Sequence, residues 1–521
     1  MDSDDYDLLN HFTVLIYPFV HKINGDTRRR HVTVLSESWA PWWTRLNERQ
    51  TVAALDDTYF FLPYIRETIF PETKALKDIP SGADYLNWRR EIEKWSRGGL
   101  GHFCNELPPQ AAIRMTLKHE ILSPGTALKL IGEPDAEGGG RSELPVRLDW
   151  IDAIIFTSGI GFIVLKLEVD GRIVRLSDLT ELNYGLSTVH APTLGWILPK
   201  LSVGGAVPSM SVRDLMDFLT QGIVDEGGVN RDLHQFVDEL RRPAKKRYTD
   251  TEVGQVYGER CHLLTYACTN NLEDANQADE APFDSTKDRL LFELAHSLAP
   301  GDSLKNPTWV PAASQLRRLE EQNIIAVWEN WSGMILKDSV AFLATKGDDF
   351  ARQVLPHNIE SDYLPLYLYT LHQKFSLYVF SNELTRAGAY ATRNLREVWT
   401  LMDRFMDFRN KYWFNEITLK PLGAELYSKL QYGIEVTSLY DLVSVEVKEL
   451  KEYYEWRRQK RMDLLLNLFS FVFLPVGVVV GIFGMTFFSG SWLSFIVTCL
   501  MVVAVSVGLW RWWAEENRFE E

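Results

Sequence analysis

Seven positions near the C-terminus fall into one register. Asp463, Asn467, Ser470, Leu474, Gly477, Gly481 and Gly484 are separated by 4, 3, 4, 3, 4 and 3 residues. A repeat averaging 3.5 residues lays them along one stripe of a helix and is the repeat of left-handed bundles. The residue types suit the passage of cations. Glycines offer backbone carbonyls, Asn467 and Ser470 offer side-chain oxygens, Asp463 supplies negative charge, and Leu474 gives an apolar constriction able to gate by dewetting. A plainer reading uses the glycines as a small-xxx-small surface for close helix packing. Packing alone leaves Asp463 and Asn467 without a reason, because polar groups in or beside a membrane usually face an interior or water. Arranged around an axis by several copies of the chain, the stripe would line a pore.

Elsewhere, residues that could do chemistry are sparse. Cys261-His262 with Cys268 lacks zinc-ligand spacing and fits core packing. Gly159-Ile160-Gly161 is not followed by the third glycine of a dinucleotide fingerprint, and no P-loop, nucleophile elbow or zinc-protease helix occurs. Asp56-Asp57 and Asp348-Asp349 are adjacent pairs that need not converge. Arg28-Arg29-Arg30 and the cluster Arg241, Arg242, Lys245, Lys246 and Arg247 could hold an anionic effector or lipid headgroups, or be solvated surface. No catalytic residue is expected, so the chain reads as a non-enzyme.

The stripe needs an apolar element to carry it. From Leu464 to Trp510 there is no Asp, Glu, Lys, Arg or His, a run long enough for two crossings at about 20 residues each. Arg457, Arg458, Lys460 and Arg461 precede it, Arg511 and Arg518 follow, and the connecting loop is uncharged. Both termini are therefore expected in the cytoplasm, with the chain in the cell inner membrane. The expected layout is an α/β cytoplasmic domain with insertions over 1–390 and a helical region with a long stalk helix over 391–462. A first transmembrane pore helix over 463–485, an outer loop over 486–491, a second transmembrane helix over 492–513 and a cytoplasmic tail over 514–521 follow.

Composition and pattern fill in the rest. A net charge of −15 argues against a general nucleic-acid binder and suits a surface that gathers cations. The four cysteines are no disulfide framework in so long a chain. Strands are expected at Phe12 to Tyr17, His31 to Leu35, Ile324 to Trp331 and Ser339 to Thr345, and a β-hairpin at Trp150 to Val169. Helices are expected at Tyr85 to Trp95, Tyr363 to Leu384 and Asn394 to Phe414, and one long helix over Ala424 to Arg461. Pro134 to Pro145 and Asn270 to Lys287 read as loops.

The long helix, basic collar, Pro475, then Gly481-Ile482-Phe483-Gly484-Met485-Thr486-Phe487 and a second span resemble the CorA-type divalent metal-ion channels. The likeness covers roughly the last hundred residues and is topological before them. It implies a homopentamer, with pore-lining first spans and peripheral second spans, that passes a divalent cation, Mg²⁺ or another metal, and needs no covalent cofactor. Gly484, Met485 and Thr486 stand at the family's Gly-Met-Asn selectivity motif. Thr486 replaces its Asn and offers a hydrated cation one hydroxyl instead of an amide oxygen. The resemblance also implies regulatory metal, for which Asp463, Glu446 and Glu449 are candidates. Partners would be further copies of the chain, membrane lipids and a small anionic or nucleotide effector, but no nucleic acid. Enlarged members of this kind also act as ligand-gated membrane effectors in nucleotide-signalling antiviral defence of the CRISPR type. A membrane-tethered sensor without transport is the remaining expectation.

Overall fold

The computed structural model describes residues 5–21, 38–46, 54, 57–70, 112–118, 127–131, 143–187, 196–199, 210–224, 261–270, 272, 282–306, 308–389 and 395–473, with single positions between 477 and 508. The central strand β1 (Asp7–Val20) shows why a sheet forms. Phe12 to Phe19 runs almost without a polar side chain, as in a strand covered on both faces. Leu15, Tyr17 and Phe19 belong to one buried cluster, while the intervening Val14 and Ile16 are buried on the other side.

Around β1 lie β2 (Trp39–Pro41), β3 (Ile113–Leu117), β4 (Ala127–Ile131), β5 (Glu143–Ile155), β6 (Ile160–Val169) and β7 (Val174–Arg175). They are joined by β8 (Trp196–Pro199), β9 (Met210–Ser211), β10 (His262–Thr269), β11 (Ile324–Trp328), β12 (Trp331–Ile335) and β13 (Ser339–Ala344). Among the described residues these make one 13-stranded sheet in the order β11-β12-β13-β10-β1-β6-β5-β4-β8-β9, with β3 on β5, β2 on β3 and β7 on β1. Only the β10–β13 pair is parallel. The β5–β6 hairpin turns at Gly159, whose φ of +95° favours a residue without Cβ.

Helices α1 (Pro63–Ile69), α2 (Leu176–Ser187), α3 (Val212–Val224), α4 (Thr286–His296) and α5 (Ala313–Gln322) precede the helical half. Leucines of α2, α3 and α4 close the cluster under Leu15, Ile163 and Leu165. On the opposite face run two π-helical turns, Phe350–Val354 and Ile359–Tyr363, and then α6 (Leu364–Ala389). Phe375 of α6 meets Phe162 of β6 and His262 of β10. Next come α7 (Leu395–Tyr412), α8 (Pro421–Gly433) and α9 (Val436–Leu468). Two compact units divide between Val443 and Ser444, so α7 and α8 lie in the same unit as the sheet.

The hairpin, the strand near 339 and the helices near 363 and 394 are where the residue pattern puts them, whereas the single strand expected over Ile324 to Trp331 is β11 and the first residue of β12, with a turn at Glu329 and Asn330 between them. The expected helices and strands at Tyr85 to Trp95 and His31 to Leu35 fall outside the described residues. The single helix expected over Ala424 to Arg461 is two, α8 and α9, broken at Ile434 and Glu435. Glu435 takes the left-handed φ of +63°, and its carboxylate meets Lys337 at 2.7 Å. A non-glycine residue there costs about 1 kcal/mol, and the ion pair is exposed. Glu435→Gly should therefore raise stability by about 1 kcal/mol in urea unfolding. A loss would show that the Lys337 contact outweighs the backbone.

The expected membrane hairpin requires correction. Among the described residues no helix is long and apolar enough to cross a membrane. The helix nearest to it, α9, keeps charged residues along its length up to Asp463, each costing about 2.5–3.5 kcal/mol at a bilayer centre. Its described apolar continuation is only Leu464 to Phe473. Most of 464–483 and 492–513, the two expected spans, lies outside the described residues. The mixed α/β part of the expected fold class is present. The CorA-like transmembrane hairpin, the channel description built on it and the inner-membrane placement with two cytoplasmic termini are set aside.

Candidate functional site

The sheet itself builds the one site with ligand-like geometry among the described residues. Along β5, Leu144, Val146 and Leu148 point into the cluster under α2. Beyond them the parity changes, and Ile151, Ala153 and Ile155 take over that face. The cause is a β-bulge at Asp149: Leu148 opposes Leu167, whereas Trp150 opposes Lys166. One extra residue turns Trp150 and Asp152 to the other side of the sheet, as bulges near sites do.

There, two guanidinium groups meet Asp152, which is fully buried. Arg45 donates from NH2 at 3.1 Å, and Arg114 of β3 donates from Nε at 3.0 Å and NH2 at 2.8 Å, all to Oδ2. Each arginine also lies over an indole: Arg45 over Trp150 at 4.4 Å and Arg114 over Trp42 at 4.8 Å. These contacts hold the planar groups flat against the wall. Burial lowers the Arg45 pKa, against the pull of Asp152, yet an arginine remains charged at any physiological pH.

Arg45, Arg114 and the two indoles border a cavity of about 450 Å³, whose further walls include Phe70, Asp149, His357 and Glu360. That volume lies in the usual range for small-molecule sites, roughly 300–1,000 Å³. Glu360 belongs to the second π-helical turn, a device common at functional sites. Lys166 of β6 bonds Glu360 and reaches Asp149 at 3.0 Å. Burial lowers the Lys166 pKa, but Glu360 and Asp149 outweigh it and leave the value raised, so the ammonium is retained. His357 Nε2 lies 3.0 Å from Asp57.

Three buried polar atoms here have no hydrogen-bond partner: Arg45 Nε, Trp150 Nε1 and Asp152 Oδ1. Unmet buried donors are costly, about 1–3 kcal/mol each, and point to something that visits them.

A second polar cluster is less suited to chemistry. Ser158 Oγ and His372 Nε2 are 2.7 Å apart, the spacing of a nucleophile and its base. His372 is fully buried against Phe156, its Nδ1 has no acidic partner, and burial pushes its pKa down to about 3. It does not hold a proton near neutral pH, and its other polar contact, Ser376 Oγ at 3.3 Å, falls on the same Nε2 and leaves Nδ1 unpartnered. Cys261, His262 and Cys268 are buried along β10, where the core-packing reading puts them.

The C-terminal residues singled out from sequence are not among those that line the cavity. Asp463 is exposed on α9, Asn467 is half-buried near its end, and Ser470 is exposed in the π-helical turn Phe469–Phe473. Gly477 and Gly481 are helical, with nothing near the position a Cβ would take. Leu474, Gly484, Met485 and Thr486 lie outside the described residues, as do the basic clusters near 28 and 241. Glu446 is half-buried and Glu449 exposed on α9, and no group of three metal-ligating side chains forms among the described residues. Of the cavity residues only Asp57 had been singled out. The missed signal was the shift of apolar parity from 144, 146 and 148 to 151, 153 and 155. No family model matches the chain, and a search of curated proteins finds no match.

Proposed function

We propose that the protein is a non-catalytic sensor whose α/β unit captures a small anionic effector in the Arg45, Arg114 and Trp150 cavity. One observation carries this reading. Two guanidinium groups share a single carboxylate beside a cavity with unmet N–H donors. An entering phosphate or carboxylate would accept from those donors, in hydrogen bonds worth about 1.5–3 kcal/mol each.

Glu360 also gives the site a route outward. It stands in the π-helical turn that leads directly into α6, and α6 packs on α7 through Phe380, Phe405 and Phe408. An effector that displaces Glu360 from Lys166 would alter the turn and the helix that continues it.

Ribose 5-phosphate is a suitable first probe because it carries the anion without an aromatic base. Calorimetric titration should show binding that weakens with added salt. Arg114→Met leaves Asp152 paired with Arg45, so the fold is retained while affinity falls about 10- to 100-fold. Absence of binding by the unaltered chain, or equal binding by the variant, would overturn the reading.

A further inference from the structure

The cavity has two poles, and resting on the anion-capture reading above, we propose that its ligand is a guanine nucleotide held by both. Arg45 and Arg114 form the basic pole. Across the bulge, Asp149 and Glu360 form an acidic one, sharing the single ammonium of Lys166. Two carboxylates with one cation leave acceptor oxygens to spare, just as two arginines with one carboxylate leave donors. A simple anion would use the first pole and be repelled by the second. A ligand that satisfies both has a negative group at one end and an array of N–H donors at the other.

The walls between the poles narrow the class further. Trp42 and Trp150 line the cavity, each with an arginine over its ring, so a flat group is the natural filling. Guanine presents N1–H and its 2-amino group side by side, a pair of parallel donors that matches a carboxylate. Adenine alternates donor and acceptor on the corresponding edge and would set a lone pair against the carboxylate oxygens. Its phosphate would lie at Arg45, Arg114 and the unpartnered Trp150 Nε1, with the base edge at Glu360 and Asp149.

Titration of the full chain with GMP, AMP and ribose 5-phosphate tests this. GMP should bind at least ten times more tightly than either of the others. Glu360→Gln, which keeps Asp149 on Lys166, should remove most of the GMP preference, while ribose 5-phosphate binds at least as tightly as before. That retained binding is also the check that the variant is folded. If it does not fold, the GMP to AMP ratio on the unaltered chain decides alone. Equal affinity for GMP and AMP, or a GMP preference that survives Glu360→Gln, overturns the guanine assignment while leaving the anion site standing. Failure of all three probes to bind overturns both.

Discussion

Replacing Asp152 by Ala should lower the stability of the α/β unit by about 3–5 kcal/mol, the usual result when one member of a buried ion cluster is removed. Asp152 has no exposed surface, and its Oδ2 accepts three N–H bonds from Arg45 and Arg114. Without it, two guanidinium groups face each other on a wall of indole and leucine. Asp152→Asn should be nearly as costly, since it keeps the shape but not the charge. Combining Asp152→Ala with Arg114→Met removes one of the stranded cations and should recover a large part of the loss. Urea unfolding of Asp152→Ala, Arg114→Met and the double variant measures the coupling. A loss below about 1 kcal/mol in Asp152→Ala would show that the arginines are resolvated through the cavity.

The same variant bears on function. An anion that enters beside Arg45 and Arg114 takes the place of the missing carboxylate. Ribose 5-phosphate should therefore stabilise Asp152→Ala more than it stabilises the unaltered chain, because a ligand bound only by the folded state adds its binding free energy to folding. A larger stabilisation of the unaltered chain would place the anion elsewhere.

Period and burial made much of this fold legible. The run from Phe12 to Phe19 has no polar face to give to solvent, so it declared a strand covered on both sides, and β1 is that strand. The helices near 363 and 394 have the length and apolar content of core helices, and both form. The break at Glu435 was not read from the sequence, although Gly433 ends α8 two residues before it: a lone glycine within a helical pattern is often tolerated, and the positive φ falls on Glu435 instead. Strand order was beyond the residues as well. That β10 lies between β1 and β13, far from either in sequence, depends on long-range packing that no local pattern encodes.

The site was hidden for a different reason. Arg45, Arg114, Asp152, Lys166 and Glu360 come from five separate segments, and none has a neighbour in sequence that would announce its role. A stripe such as that from Asp463 to Gly484 stands out instead, because spacing along one helix is visible without tertiary structure. A convergent site made by a bulge leaves only a change of parity at Asp149, which is easily taken for a poorly alternating strand.

Asp362→Asn should make the protein more stable at pH 7.5, by about 2–3 kcal/mol, and leave it almost unchanged at pH 4. Asp362 lies in the π-helical turn beside Ser361 and Glu360, and it is buried. Burial pushes its pKa up to about 6, with Lys420 and the Ser361 hydroxyl opposing the shift. The sign follows from proton uptake. Because the folded chain holds this proton more tightly, the favourable contribution is complete below the unfolded value near 4 and is lost as pH rises through about 6. Above that, the fold carries a buried carboxylate at full cost, and two pKa units correspond to about 3 kcal/mol. Asparagine keeps the size and the acceptor oxygen without the charge. Urea midpoints between pH 4 and 7.5 should coincide for the two proteins at the acid end and diverge through pH 5 to 6. A variant that is weaker at every pH would mean that the Lys420 contact outweighs desolvation. The turn that presents Glu360 to the cavity thus holds a charge that folding disfavours, as turns that serve binding often do. Exchanging Asp362 for the more stable Asn should accordingly stiffen this turn and weaken whatever response the bound effector draws from it.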